Sequence, residues 1–125
     1  MDLDAFFDGH PFARRVHDAV AAMIESLGPT EIRITKSQVA FRRRRGFAYL
    51  WIPGQYLARP GAEVVLSIAL PARLDSPRWK EVVRPAPTTW MHHLEVRDLA
   101  ELDDEVLGWL RAAFEAAGPA GVVTR

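Results

Sequence analysis

The chain has 125 residues, 49% hydrophobic and 26% charged, which is enough for one globular domain and unlike a disordered segment. It has no cysteine, so disulfides, thiolate metal ligands and thiol nucleophiles are excluded, and 16 basic against 16 acidic side chains remove any global electrostatic case for a nucleic-acid binder. No apolar stretch approaches the roughly 20 residues of a bilayer span. The acidic start Met1-Asp2-Leu3-Asp4 is the opposite of a basic signal peptide, so a cytoplasmic protein without a membrane partner is expected.

The first clear element follows Pro11, a residue favoured at the first helical position, and ends at Gly28-Pro29. Between them Phe12, Val16, Ala19, Val20, Met23 and Leu27 recur at helical spacing, predicting an amphipathic helix over 11–27 with His17 on its outer surface. Period-two alternation then places Ile32, Ile34, Val39 and Phe41 on one face of extended chain, with a turn at Lys36-Ser37. After Gly46 the run Phe47–Ile52 is aromatic and β-prone and stops at Pro53-Gly54. Val64–Leu70 has a buried-strand pattern, and Trp79–Arg84 with Trp90–Val96 form another pair. A second helix is predicted over about 99–117 from the stripe Leu99, Leu102, Val106, Leu110, Ala113 and Ala117, with Asp98 or Asp103 as its cap. Short connections between successive strands favour antiparallel pairing. The expected fold is therefore α+β, a two-layer sandwich in which the N- and C-terminal helices pack on one face of an antiparallel sheet of four to six strands.

Charge is sorted along the chain. Residues 1–30 are net −3, 31–60 net +6, 61–97 net +1 and 98–117 net −5. Such asymmetry marks an interaction surface, or basic strands and acidic helices that lie side by side and neutralise each other. The second reading is slightly favoured.

The segment Thr35-Lys-Ser-Gln-Val-Ala-Phe41, with the arginines 42–45 and Phe47, resembles the signature of an uncharacterised bacterial domain-of-unknown-function family (DUF5655). The pattern continues in Leu74-Asp-Ser-Pro-Arg78, in Trp90-Met-His-His93, and in Leu102-Asp-Asp-Glu105 with Trp109-Leu110. The resemblance covers about 12–117 and implies no activity or catalytic residues. The element order is also similar to that of small frataxin-like iron chaperones, but the acidic ridge those proteins use is replaced here by a basic first strand region.

Three groups of side chains are candidates for chemistry. His92 shares parity with Trp90, Leu94 and Val96, the core side, whereas His93 and Glu95 share the open face and form an i, i+2 acid–base candidate. A hydrogen-bonded structural histidine is the commoner explanation. Glu101, Asp104 and Glu105 cluster at the start of the second helix, where the helix dipole favours acids without any ligand. Arg42 and Arg44 alternate away from Phe41 and, with Lys36 in the preceding turn, offer cations to a phosphate or carboxylate; a solvated strand edge is the equally weighted alternative. No phosphate-binding glycine loop, G-x-S-x-G or H-E-x-x-H is present, so neither a cofactor nor a metal is expected, and the four serines have no readable base partner.

The leading expectation is a non-catalytic binding module whose basic sheet surface takes an anionic ligand or an acidic partner surface, nucleic acid being a weaker variant. The second is a homodimeric interaction protein, basic hairpin against acidic helix. The third is a small enzyme using His93 with Glu95. The site residues expected for a ligand are Arg42, Arg44, Lys36, His93 and Glu95.

Overall fold

A computed structural model describes residues 1–119. The chain opens with a single-turn helix, α1 (Leu3–Phe6), and a longer one, α2 (Pro11–Glu25); then follow β1 (Glu31–Ile34), β2 (Val39–Arg42), β3 (Gly46–Trp51), β4 (Val64–Leu70), β5 (Glu81–Ala86), β6 (Thr89–Val96) and the helix α3 (Asp104–Ala116). Short 3-10 turns at Pro53–Gln55 and Leu99–Glu101 join them. All strand pairs are antiparallel, and the order across the sheet is β1-β2-β3-β4-β6-β5. The α+β sandwich read from the periodicity is the fold observed. No described helix is long and apolar enough to cross a membrane.

Strand alternation divides the sheet into two faces. Phe41, Ala48, Ile68 and His92 stand in one cross-strand row, and Leu50, Leu66 and Leu94 in another. These rows meet Val16, Val20 and Ile24 of α2 and Val106, Leu110 and Phe114 of α3 in a single core, so both helices pack on the same face. At the β2–β3 turn the register shifts between Phe41 and Arg42, leaving Phe47 as an extra residue that meets Phe114 edge-on at 5.8 Å. Gly28, which closes α2, has φ +149°, and a Cβ there would run into the Phe114 ring; only glycine fits both demands.

The helix boundaries show where local signals compete. Asp98 and Asp103, alternative caps for one helix in the sequence, each cap an element of their own: Asp98 accepts from Ala100 N in the 3-10 turn and Asp103 from Val106 N at the start of α3. The N-terminus of α2 has no side-chain cap from His10; Glu63, fifty residues on, accepts from Ala13 N at 2.9 Å instead. His17 is not on the outer surface. It is 3% exposed, with its ring centroid 5.5 Å from that of Phe7 and 5.9 Å from that of Phe41. The reason is α1, which has no periodic stripe of its own and folds Phe6 and Phe7 onto the flank of α2.

His92 is a polar group built into this core. It is fully buried, and Leu74 N–H donates to its Nε2 at 3.0 Å. A backbone amide can only donate, so Nδ1 carries the proton and gives it to the carbonyls of Trp90 (3.1 Å) and Ile68 (3.2 Å). Trp79 packs on the His92 ring and on Trp109, and its indole N–H donates to Leu74 O at 2.9 Å. Arg78 completes the clasp, donating to Asp103, Glu105 and the carbonyl of Glu101. The 71–80 connection is thereby fastened to β6 on one side and to the start of α3 on the other.

Burial holds the His92 imidazole below its ordinary value of 6.5, against the upward pull of the Ile68 and Trp90 carbonyls. As pH falls through 6.5 the unfolded chain therefore takes a proton before the folded one does, and stability declines. Replacing His92 by Ala is expected to cost about 3 kcal/mol, through the cavity and the stranded Leu74 N–H, and His93→Ala less than about 1 kcal/mol. Urea unfolding at about pH 7 and about pH 5 checks this: the acid-side loss, at most about 1.4 kcal/mol per pH unit for one histidine, should shrink in His92→Ala.

Candidate ligand-binding site

The face opposite the helices carries a row that runs from edge to edge: Arg33, Ala40, Tyr49, Ser67, His93 and Glu81. Trp51, Val65 and Glu95 form the adjacent row, and Ala69, Met91 and Val83 the row on the other side. A solvated face would be polar throughout. This one has rings and a methionine at its centre and charges toward its edges.

A hydrogen-bond chain lies under that centre. The Trp51 indole N–H donates to Ser67 Oγ at 2.8 Å, and Ser67 Oγ stands 2.6 Å from His93 Nδ1. Trp is donor-only, and Ser67, 3% exposed, has these two side-chain partners among the described residues. The hydroxyl proton therefore goes to His93 Nδ1, which places the ring proton of neutral His93 on Nε2. Burial lowers the His93 pKa, against the pull of Glu81, its cross-strand neighbour, so the ring is neutral at physiological pH. The result is a fixed, uncharged N–H donor with no partner of its own among the described residues.

Above the chain is a hollow of about 410 Å³, whose walls include Gln38, Tyr49, Trp51, Tyr56, Met91 and His93. A second, of about 310 Å³, shares Trp51 and His93 and continues toward Leu57, Lys80, Glu81 and Glu95. Size does not single these out, since hollows of about 480 Å³ beside Arg73 and about 460 Å³ between α2 and β1 are as large. The rings and the polar chain do. Tyr56 reaches the face from the turn after β3, its ring centroid 6.3 Å from that of Trp51. Tyr49 leans toward Gly46, where a Cβ would occupy the position of its hydroxyl. Burial raises the Tyr49 pKa, with the nearby charge of Arg42 opposing the shift, so the phenol keeps its proton.

The expected site residues separate. Arg42 ends β2 on the open face, beside Tyr49, with Nε 3.8 Å from Glu31. Lys36 is exposed in the turn whose Ser37 and Gln38 line the hollow. His93 is at its floor. Arg44 does not join them: the strand stops at Arg42, and the Arg44 backbone N–H points to Gly118 O at 3.5 Å, next to the end of α3. Glu95 shares the face with His93 but not a bond with it. Its carboxylate takes Arg97 Nη2 at 2.6 Å, and Arg97 also holds Gly61 O. The i, i+2 spacing that made His93 and Glu95 a candidate pair puts no hydrogen bond between them; Ser67 flanks His93 on one side and Glu81 on the other, both set by cross-strand register that spacing within one strand does not report.

The rest of the arginine run has a structural task. Arg43 Nη1 donates to Phe114 O at 2.8 Å with its guanidinium 3.7 Å from the Phe114 ring centroid, and Arg45 Nη2 donates to Ala116 O at 2.8 Å. α3 has no basic residue in its last turn, so these two cations complete its unpaired carbonyls and offset the negative end of its dipole. The acids at the other end are used likewise: Asp103 and Glu105 hold Arg78, and Glu101 Oε1 accepts from Arg97 N. Arg43 and Arg45 of the +6 segment thus meet backbone carbonyls of α3, while the acids at its start meet Arg78 and Arg97. Among the described residues no group of three or more His, Asp or Glu side chains is arranged to hold a metal ion.

The profile of the family described as Domain of unknown function (DUF5655) matches residues 3–117. The chain belongs to that family. Neither the curated proteins nor the solved structures contain a match. Membership brings no residue roles with it, so the candidate site stands on its own geometry.

Arg43→Ala is expected to destabilise the fold by about 2 kcal/mol, through the lost helix-end hydrogen bond and the lost ring contact. Lys36→Ala, on an exposed turn, should change stability by less than about 0.5 kcal/mol. Thermal and urea melts of the two variants make the comparison.

Proposed function

We propose that this DUF5655 domain is a non-catalytic binding module that takes a small anionic ligand on the open face of its sheet, in a cytoplasmic setting that its lack of cysteine suits. The observation that carries the reading is the Trp51–Ser67–His93 chain: a buried hydrogen-bond relay that ends in an N–H donor with no partner among the described residues, under a ring-lined hollow. A preformed apolar hollow with a few fixed polar groups is the usual form of a small-molecule site. The positive charge nearest to it comes from Arg42, at the end of β2 beside Tyr49, and from Lys36, in the turn that carries Ser37 and Gln38.

The other readings draw less support. Single-stranded nucleic acid needs cations along a backbone path, but Arg43 and Arg45 are engaged with α3, and Glu81 and Glu95 stand on the same open face. The homodimer reading loses the same two arginines to its own chain. For catalysis, Ser67 and His93 are in contact, but Ser67 is buried, lies in the middle of a strand paired on both sides, and already accepts from Trp51. That arrangement orients His93 better than it activates a nucleophile.

Titrating ¹⁵N-labelled protein at low salt with a panel of small carboxylates and phosphates tests the proposal. Saturable amide shifts at 38, 49, 51, 67, 91 and 93, weakened about tenfold by Arg42→Ala, are the expected outcome. Saturable shifts centred on the helix face, or none with any anion, would overturn it.

A further inference from the structure

We infer that the ligand of the open-face hollow is an aromatic monocarboxylic acid, one flat ring system bearing one carboxylate. The inference rests on the binding-module reading above and narrows it to a chemical class.

The walls speak for a ring. Tyr49, Trp51 and Tyr56 line the hollow together with Met91, and the Trp51 and His93 rings meet edge-to-face at 5.9 Å with an interplanar angle of 81°. Aromatic faces and a thioether set around one space favour a flat, polarisable body over a branched aliphatic one. Trp51 is held in place before any ligand arrives by its bond to Ser67, so it has little ordering entropy left to lose on binding, whereas Tyr56 is exposed.

The polar groups speak for a carboxylate rather than a phosphate. Phosphate sites use several converging N–H donors, commonly a helix N-terminus or a glycine-rich nest. Here the helices pack on the other face, and their first turns are already capped by Asp2, Glu63 and Asp103. What the open face offers is sparser: the Nε2–H of neutral His93 and the phenol of Tyr49, which is turned toward Gly46, in the wall of the hollow, and outside its lining the guanidinium of Arg42 at the end of β2. One uncharged donor and one phenol in the wall, with the cations Arg42 and Lys36 outside it, match a group with two acceptor oxygens and a single negative charge. A dianion would need further cations, and beyond the Trp51–His93 wall Arg59 and Lys80 are matched by the acids Glu81 and Glu95, so that side adds no net positive charge. Benzoic acid fills only part of the roughly 410 Å³ hollow, and a fused bicyclic acid fills more of it.

Isothermal titration of the full chain with four probes tests this: 2-naphthoate, cyclohexanecarboxylate, 2-naphthamide and inorganic phosphate. The expected result is saturable 1:1 binding of 2-naphthoate, with cyclohexanecarboxylate and 2-naphthamide each at least about tenfold weaker and phosphate weaker still. Arg42→Ala should weaken 2-naphthoate about tenfold while leaving 2-naphthamide within about twofold, because only the carboxylate meets the cation. Equal binding of cyclohexanecarboxylate or tighter binding of phosphate would overturn the aromatic-acid assignment and leave the anion-binding reading standing. Failure of all three anions would overturn both. The probe series is read on unaltered protein, so the outcome does not depend on any variant folding.

Discussion

The pairing of β4 with β6 at the centre of the sheet decides which face each side chain serves. The register aligns Ile68 with His92 and Ser67 with His93, so two adjacent residues in each strand are sent to opposite sides. His92 enters an apolar core and finds a backbone amide and two carbonyls there; His93 comes out beside a hydroxyl that is itself held by an indole. A slip of one residue would bury Ser67 and His93 under the helices and expose Ile68 and His92, exchanging core for site along the whole strand. Core and candidate site are two readings of one register, and the clasp of Trp79 and Arg78 over the 71–80 connection holds β6 where that register requires it.

Electrostatics follow from the same layout. The +6 segment and the −5 segment look like a surface waiting for a partner when read along the chain. In space the β2–β3 turn abuts the end of α3, and Arg43 and Arg45 spend their charge on its carbonyls. Arg78 does the same at the other end of α3, through Asp103 and Glu105. Charge-assisted hydrogen bonds to helix ends stabilise more than exposed ion pairs do, which gives the arginine run a function without any ligand. Arg42 ends β2 on the open face, beside Tyr49 and with Glu31 3.8 Å from its Nε.

Periodicity made much of this legible. The stripes of α2 and α3, the alternation in β1 and β2, the apolar runs of β3 and β4 and the opposite parity of His92 and His93 all follow from local pattern alone. Spacing failed where an element or a partner is remote in sequence. α1 is too short to show a period, and without it His17 reads as a surface residue. Glu63 capping α2 and Arg43 capping α3 are separated from their partners by 50 and 71 residues, beyond any local pattern. The site suffered most: Ser67 lies 26 residues from His93 and 16 from Trp51, so a serine with no partner in the sequence is the centre of the relay in the fold. Alternation predicted Arg44 beside Arg42 because it assumed that β2 continues, whereas the strand ends at the bulge. Glu95 was placed on the correct face but its carboxylate belongs to Arg97.

The central claim is that neighbouring histidines are fixed in opposite tautomers by opposite surroundings. Long-range ¹H–¹⁵N correlation spectra of the imidazole rings at neutral pH read this directly, because protonated and unprotonated ring nitrogens differ widely in chemical shift. His92 should carry its proton on Nδ1, since Leu74 N–H occupies Nε2, and His93 on Nε2, since the Ser67 hydroxyl occupies Nδ1. The same tautomer at both positions, or a charged His93 at neutral pH, would contradict the account.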